Sequence, residues 1–175
     1  MHIYVKQEFA SFQNSYFGYT DAKEQKYEIK DSSFLPWHKI EIKTDKYIEA
    51  TIKQKYFGLK PNYMVFDHDE RTGYELRRIG GIKTGKYSVV GKMWYVVGDF
   101  IGLNYAIVDQ TGTQIASLSK RETPVGEALD VYAVAVEDMS LALAILFTVY
   151  LDQKDAVNKL KEQEKSENQS QKGLF

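Results

Sequence analysis

Between Met139 and Leu151 the chain carries 13 consecutive residues without a charge, and wound at 3.6 residues per turn they leave no polar stripe on any side. A helix that is apolar all round must be buried all round, so the rest of the chain has to enclose it. Spanning a bilayer takes about 20 apolar residues, which this run does not reach. It reads as a core helix, with Asp138 or Ser140 capping its N-terminus.

The residues ahead of the helix are strand-like. Ile3, Val5, Gln7 and Phe9 fall on one face of an alternating segment, and His2, Tyr4, Lys6 and Glu8 on the other. Ile48, Ala50, Ile52, Gln54 and Tyr56 repeat the pattern against Glu49, Thr51, Lys53 and Lys55. The repeat is literal: Val5-Lys6-Gln7-Glu8-Phe9 followed by Tyr16, and Ile52-Lys53-Gln54-Lys55-Tyr56 followed by Tyr63, are offset by 47 residues. Turn-forming residues divide the chain into twelve such segments, near 3–9, 15–20, 26–31, 38–44, 47–56, 62–67, 73–79, 86–91, 93–99, 104–109, 113–120 and 130–137. Connections as short as Asp45-Lys46 and Gln110-Thr111-Gly112 leave no room for parallel crossovers and favour an antiparallel meander.

Helix and strands then combine by arithmetic. Twelve strands ~4.8 Å apart and tilted ~40° close with a backbone diameter of roughly 24 Å, leaving ~14 Å inside the inward side chains. A helix ~10–12 Å across fits that lumen. The expected fold is therefore mainly β: a twelve-stranded antiparallel closed barrel over residues 1–151 around a central hydrophobic C-terminal helix. Residues 152–175, with five Lys and five acidic side chains among them, read as a polar charged tail, a frayed helix or disordered beyond about Glu162.

Composition narrows the function. Lys and Arg number 23 against 24 Asp and Glu, which gives none of the basic excess that collects nucleic-acid phosphates. Without cysteine there is no disulfide framework, no thiolate metal site and no thiol nucleophile. The opening residues have no secretory apolar core, so a cytoplasmic location is expected, with peripheral placement at the inner membrane face as an option. A monomer without cofactor is the expected state.

The segments YVKQEFASF at 4–12, IKQKYFGLKPNY at 52–63, GDFIGLNYAIVDQTGTQIASLSKR at 98–121 and VYAVAVEDM at 131–139, in this order and closed by the apolar helix, resemble the LURP-one-related proteins. That family belongs to the superfamily of the Tubby C-terminal domain and the phospholipid scramblases. The resemblance covers about residues 3–151 and implies the same barrel around a helix. It implies no single activity, because Tubby domains bind phosphoinositides, scramblases are linked to calcium and lipid movement, and LURP-one-related members have no agreed one. The acidic calcium segment of the scramblases has no counterpart here, and no cationic pair matches the Tubby lipid site.

Gly80-Gly81-Ile82-Lys83-Thr84-Gly85-Lys86-Tyr87 follows most of a phosphate loop but puts Tyr where Ser or Thr would meet magnesium, and strand-like residues follow it. Asp67-His68-Asp69-Glu70 lacks the alternating ligands and distal Glu of a calcium loop and reads as a solvated turn. His2, His38 and His68 show no metal-ligand spacing, so no metal residue is assigned. Without a nucleophile elbow no catalytic residue is assigned either, and a hydrolase assembled in space is the lesser alternative.

One stretch stands out electrostatically. Arg71, Arg77, Arg78, Lys83, Lys86 and Lys92 face only Glu75 between residues 71 and 92. Arg77, Arg78, Lys83 and Lys86 are the candidate anionic-lipid site, each cation at a membrane surface contributing about 1 kcal/mol. The alternation of a strand sends Arg77 and Arg78 to opposite faces unless the strand ends there. The expected function is a non-catalytic intracellular binding barrel whose partner is an anionic phospholipid surface or a protein. A scramblase-like membrane-associated lipid protein is the alternative.

Overall fold

The computed structural model describes residues 1–8, 14–32, 39–55, 62–68, 71–81, 86–124 and 126–172. Twelve strands precede one helix: β1 (His2–Glu8), β2 (Asn14–Tyr19), β3 (Gln25–Asp31), β4 (Lys39–Lys43), β5 (Ile48–Lys55), β6 (Asn62–Asp67), β7 (Thr72–Ile79), β8 (Lys86–Val90), β9 (Trp94–Asp99), β10 (Asn104–Val108), β11 (Gln114–Thr123), β12 (Gly126–Ala133) and α1 (Met139–Lys172). Each strand pairs antiparallel with its sequence neighbours, and β1 pairs with β12 to close the barrel. Closure leaves no edge strand for another chain to pair with.

Alternation along the strands fills the lumen. Ile3 and Val5, Tyr27 and Ile29, Ile40 and Ile42, Tyr74 and Leu76, and Val131 and Ala133 are inward and buried. They meet a helix whose residues from Leu141 to Tyr150 are all buried. The helix packs on β4, β5 and β6 at one side and on β10, β11 and β12 at the other, which is the placement its uniform apolarity demands. Phe147 meets the Tyr16 ring edge-on, centroids 4.7 Å apart. Thr148, 1% exposed, is tolerated because its hydroxyl donates to the Ala144 carbonyl at 2.8 Å. Asp138 precedes the first helical residue, and its carbonyl accepts the Ala142 amide at 2.8 Å.

Two features differ from the expectation. The last hairpin has a tighter turn than expected: β11 runs on to Thr123 and β12 already begins at Gly126, where segments near 113–120 and 130–137 were expected. The polar pair Arg121-Glu122 looks like a loop but is paired strand, with Glu122 opposite Glu127. The turn falls instead where Pro124 lacks an amide donor, Gly126 takes φ 123°, and Thr123 Oγ1 donates to the Gly126 carbonyl at 2.7 Å. After Ala133 the chain leaves the sheet, exposing Val134 and Val136 by 59% each, and enters the lumen at Met139. The helix is also longer than the apolar run, continuing to Lys172 with its residues exposed from Lys161 to Ser166.

The closing seam holds a titratable lock. The His2 imidazole on β1 contacts Asp21 at 2.6 Å and Asp130 on β12 at 3.2 Å, and Arg121 pairs with Asp130 at 2.7 Å. The Asp21 hydrogen bond, opposed by burial and reinforced by Asp130, raises the His2 pKa above its ordinary 6.5. A group whose folded pKa is raised adds stability that is complete below its unfolded value and is lost as pH rises through the folded value. The expected result is a melting temperature that falls as pH rises above about 6.5 in the wild type and loses that component in His2→Gln. Parallel pH profiles for the two proteins would refute it.

Candidate functional site

Odd-numbered strands end, and even-numbered strands begin, at the end where α1 leaves the barrel. Near that end each odd-to-even hairpin contributes one inward cross-strand pair: Gln7 with Tyr16, Asp31 with Ile40, Gln54 with Tyr63, Arg78 with Tyr87, Gly98 with Tyr105, and Lys120 with Leu129. Deeper in the lumen the inward residues are apolar, and here they become phenols, amides and charges. The literal repeat seen in the sequence is the source of two of these pairs, Gln7–Tyr16 and Gln54–Tyr63.

The helix meets this ring with charged side chains of its own. Asp152 accepts the Tyr63 hydroxyl at 3.0 Å and the Tyr87 hydroxyl, and Arg78 Nη1 lies 3.5 Å from it. Gln153, 1% exposed, donates to Tyr87 Oη at 2.6 Å. On the other flank Glu127 accepts Lys120 at 2.8 Å, Lys154 at 3.0 Å and Tyr150 at 2.9 Å. Two acid-centred clusters thus fix the helix as it exits.

Their electrostatics define what the groups can do. Burial works against ionisation of Glu127, but the bonds from Lys120, Lys154 and Tyr150 prevail and hold its carboxyl down to about 2. Burial pushes the Tyr16 phenol up to about 12. Tyr63, Tyr87 and Tyr150 are also raised, by burial first and then by the neighbouring carboxylates. These phenols remain protonated hydrogen-bond donors at neutral pH and do not serve as bases or nucleophiles.

Between helix and barrel wall the ring leaves open space. A cleft of about 770 Å³ lies between the β1–β7 side and the helix, with Gln7, Gln54, Arg78, Leu151, Asp155, Lys159 and Leu160 among its walls. Gln7, Tyr16 and Lys154 continue it into a recess of about 260 Å³ beside Glu127 and Tyr150. A further hollow of about 340 Å³ follows beside Lys120 and Asn158. Small-molecule sites usually fall at ~300–1,000 Å³.

The basic stretch does not converge on one face. Arg77 points outward, its side chain 52% exposed and bonded to Glu75 at 2.9 Å. Arg78 points inward to Asp152, its side chain 13% exposed. Lys86 is outward over the Tyr95 ring at 5.1 Å. Lys83 lies outside the described residues. The strand continues through both arginines to Ile79, so its alternation separates them.

The remaining motifs resolve into local structure. Lys86–Val90 is strand with Tyr87 in the core, so the glycine-rich segment before it, whose residues 82–85 lie outside the described set, leads to no helix. Among the described residues no three His, Asp or Glu side chains gather as metal ligands; Asp69, Glu70 and His38 lie outside that set. His68 Nε2 is 2.9 Å from Thr51 Oγ1 beside a shallow hollow on the outer wall. That pair resembles half of a nucleophilic site, but Thr51 is paired to Glu41 on one side and Phe66 on the other. Its peptide is held within the sheet ladders, where it offers no oxyanion donors. No known family's model, no curated protein and no solved structure matches the chain.

Proposed function

We propose that this protein is a non-catalytic binding module working inside the cell, and that it holds its ligand in the cleft where the helix leaves the barrel. The observation that supports this most is the contrast between a lumen packed solid by its helix and a mouth where polar side chains converge on about 770 Å³ of space. Binding sites commonly combine a preformed cavity with a few placed polar groups. The tyrosines there are donors with raised pKa values, which suits recognition better than proton transfer.

A second reading, peripheral association with anionic lipid, draws on the outer wall. Arg77 and Lys86 sit there with Ile79, 42% exposed, and Val90, 44% exposed, a mixed cationic and apolar strip on β7 and β8. No helix among the described residues is long and apolar enough to cross a membrane.

The test is a thermal-shift screen of small polar and amphiphilic metabolites on wild type and Ala156→Trp, a substitution that fills the cleft. The expected result is at least one chemical class that raises the wild-type melting temperature by several degrees and leaves Ala156→Trp unmoved. If every stabilising compound acts equally on both proteins, the mouth is not the site. Flotation with acidic vesicles that is lost in Arg77→Glu/Lys86→Glu would favour the outer wall instead.

A further inference from the structure

We infer that the mouth cleft takes a small polyhydroxylated anion, its oxyanion paired with Arg78 and Lys159 and its hydroxyls met by the Gln7 and Gln54 carboxamides; this rests on the mouth being the binding site. The anion follows from which charged groups of the lining are already engaged. Lys154 is held by Glu127 at 3.0 Å, and Asp31 has a partner of its own within the protein. Asp152 accepts the Tyr63 and Tyr87 hydroxyls as well as Arg78. Arg78 is a planar five-donor fork, yet its one polar contact among the described residues is Nη1 to Asp152 at 3.5 Å, and its buried Nε has no hydrogen-bond partner. Asp155 and Lys159 stand about one turn apart on the polar stripe that the helix turns to the cleft, both exposed and neither held by an ion pair among the described residues. The unmet groups are therefore mostly donors, most of the guanidinium fork and an ammonium against a single carboxylate. A carboxylate or phosphate, with several acceptor lone pairs on one centre, answers such an excess.

The hydroxyls follow from the barrel wall. Gln7 and Gln54, the equivalent residues of the literal repeat, lie on β1 and β5 opposite Tyr16 and Tyr63 and are half-buried in the cleft wall. Among the described residues neither carboxamide hydrogen-bonds to another side chain, and the Tyr16 hydroxyl has no acceptor. Burial pushes that phenol up to about 12, so it stays a donor. Each carboxamide brings two N–H donors and an acceptor oxygen, and a hydroxyl, which both donates and accepts, suits either side of it. An apolar ligand would strip water from these amides and replace none of the lost bonds, whereas a polyol replaces them.

Calorimetric titration of the full chain with gluconate, glucose 6-phosphate, glucose, acetate and inorganic phosphate separates the two halves of the ligand. The expected result is one site with micromolar Kd for at least one of the two hydroxylated anions, and which of them binds tells carboxylate from phosphate. Glucose, which lacks the charge, and acetate and phosphate, which lack the hydroxyls, should bind at least about tenfold more weakly. Lys159→Gln changes an exposed helix residue and should weaken the hydroxylated anion at least about fivefold with no change in melting temperature. Gln54→Leu, which keeps the bulk and loses the amide, should weaken it by a similar factor, so the outcome does not depend on one variant folding. Glucose or a bare anion binding as tightly, an unchanged Kd in either variant, or no heat with both hydroxylated anions would overturn the inference. If both fail while another compound class still stabilises the wild type and not Ala156→Trp, only the ligand class is wrong. If no compound distinguishes those two proteins, the binding site itself is wrong.

Discussion

Truncation after Asp138 is expected to leave an insoluble, unfolded chain, whereas truncation after Glu162 leaves the far-ultraviolet circular dichroism of a barrel. Met139, Leu141, Leu143, Ile145, Leu146, Phe147, Val149 and Tyr150 are each at most 2% exposed. Fully burying eight large apolar side chains at about 1.5–3 kcal/mol each gives a gross stabilisation of roughly 12–24 kcal/mol. That exceeds the ~5–15 kcal/mol net stability of an ordinary domain, and the inward residues of every strand would lose their packing partner as well. Residues beyond Glu162 add no buried apolar side chain among those described, so their removal is expected to be nearly neutral. A point version is Ile145→Asp, which puts a carboxylate at a position 0% exposed and is expected to be as damaging as the truncation. A soluble, folded Asp138 truncation would show that the barrel stands without its helix.

Asp152→Leu is expected to cost about 3–5 kcal/mol of stability in urea denaturation, the usual loss when one partner of a buried ion pair is removed. Both side chains of the Arg78–Asp152 pair are only 13% exposed. Removing the acid strands a guanidinium and also takes the acceptor from two phenols, at about 1–3 kcal/mol for each buried hydroxyl left unmet. Arg78→Met/Asp152→Leu should recover the part that belongs to the stranded charge and keep the part that belongs to the phenols. The double mutant is therefore expected to be more stable than Asp152→Leu by about 2 kcal/mol, within the range of coupling energies for residues in contact. Strict additivity of the two single changes would mean that the pair does not hold the helix at the mouth.

The two predictions differ in how far the sequence foresaw them. The core helix was readable because no placement except complete enclosure suits a run without polar residues, and period-two alternation says which residues of a strand share a face whatever the strand pairs with. Strand count and antiparallel order followed from short turns. The final hairpin was expected with too long a turn because Arg121 and Glu122 look like loop residues. Their pairing with β12 is a long-range fact that composition does not carry.

The site was much less legible. Alternation put Arg77 and Arg78 on opposite faces, but only closure of the barrel determined that Arg78 faces the lumen and that its acceptor is 74 residues away on the helix. Asp152 looked like the first residue of a solvated tail, since nothing in its type or neighbours distinguishes a carboxylate at a barrel mouth from one in water. The Gln7–Tyr16 and Gln54–Tyr63 pairs were visible as a repeat, yet a repeat states equivalence and not location. By itself the sequence determined what had to be buried and with what periodicity, because hydrophobicity and backbone geometry act locally. Only the tertiary structure decided which polar groups meet at the mouth, because those contacts join residues as much as 89 positions apart and exist only once the sheet has closed around its helix.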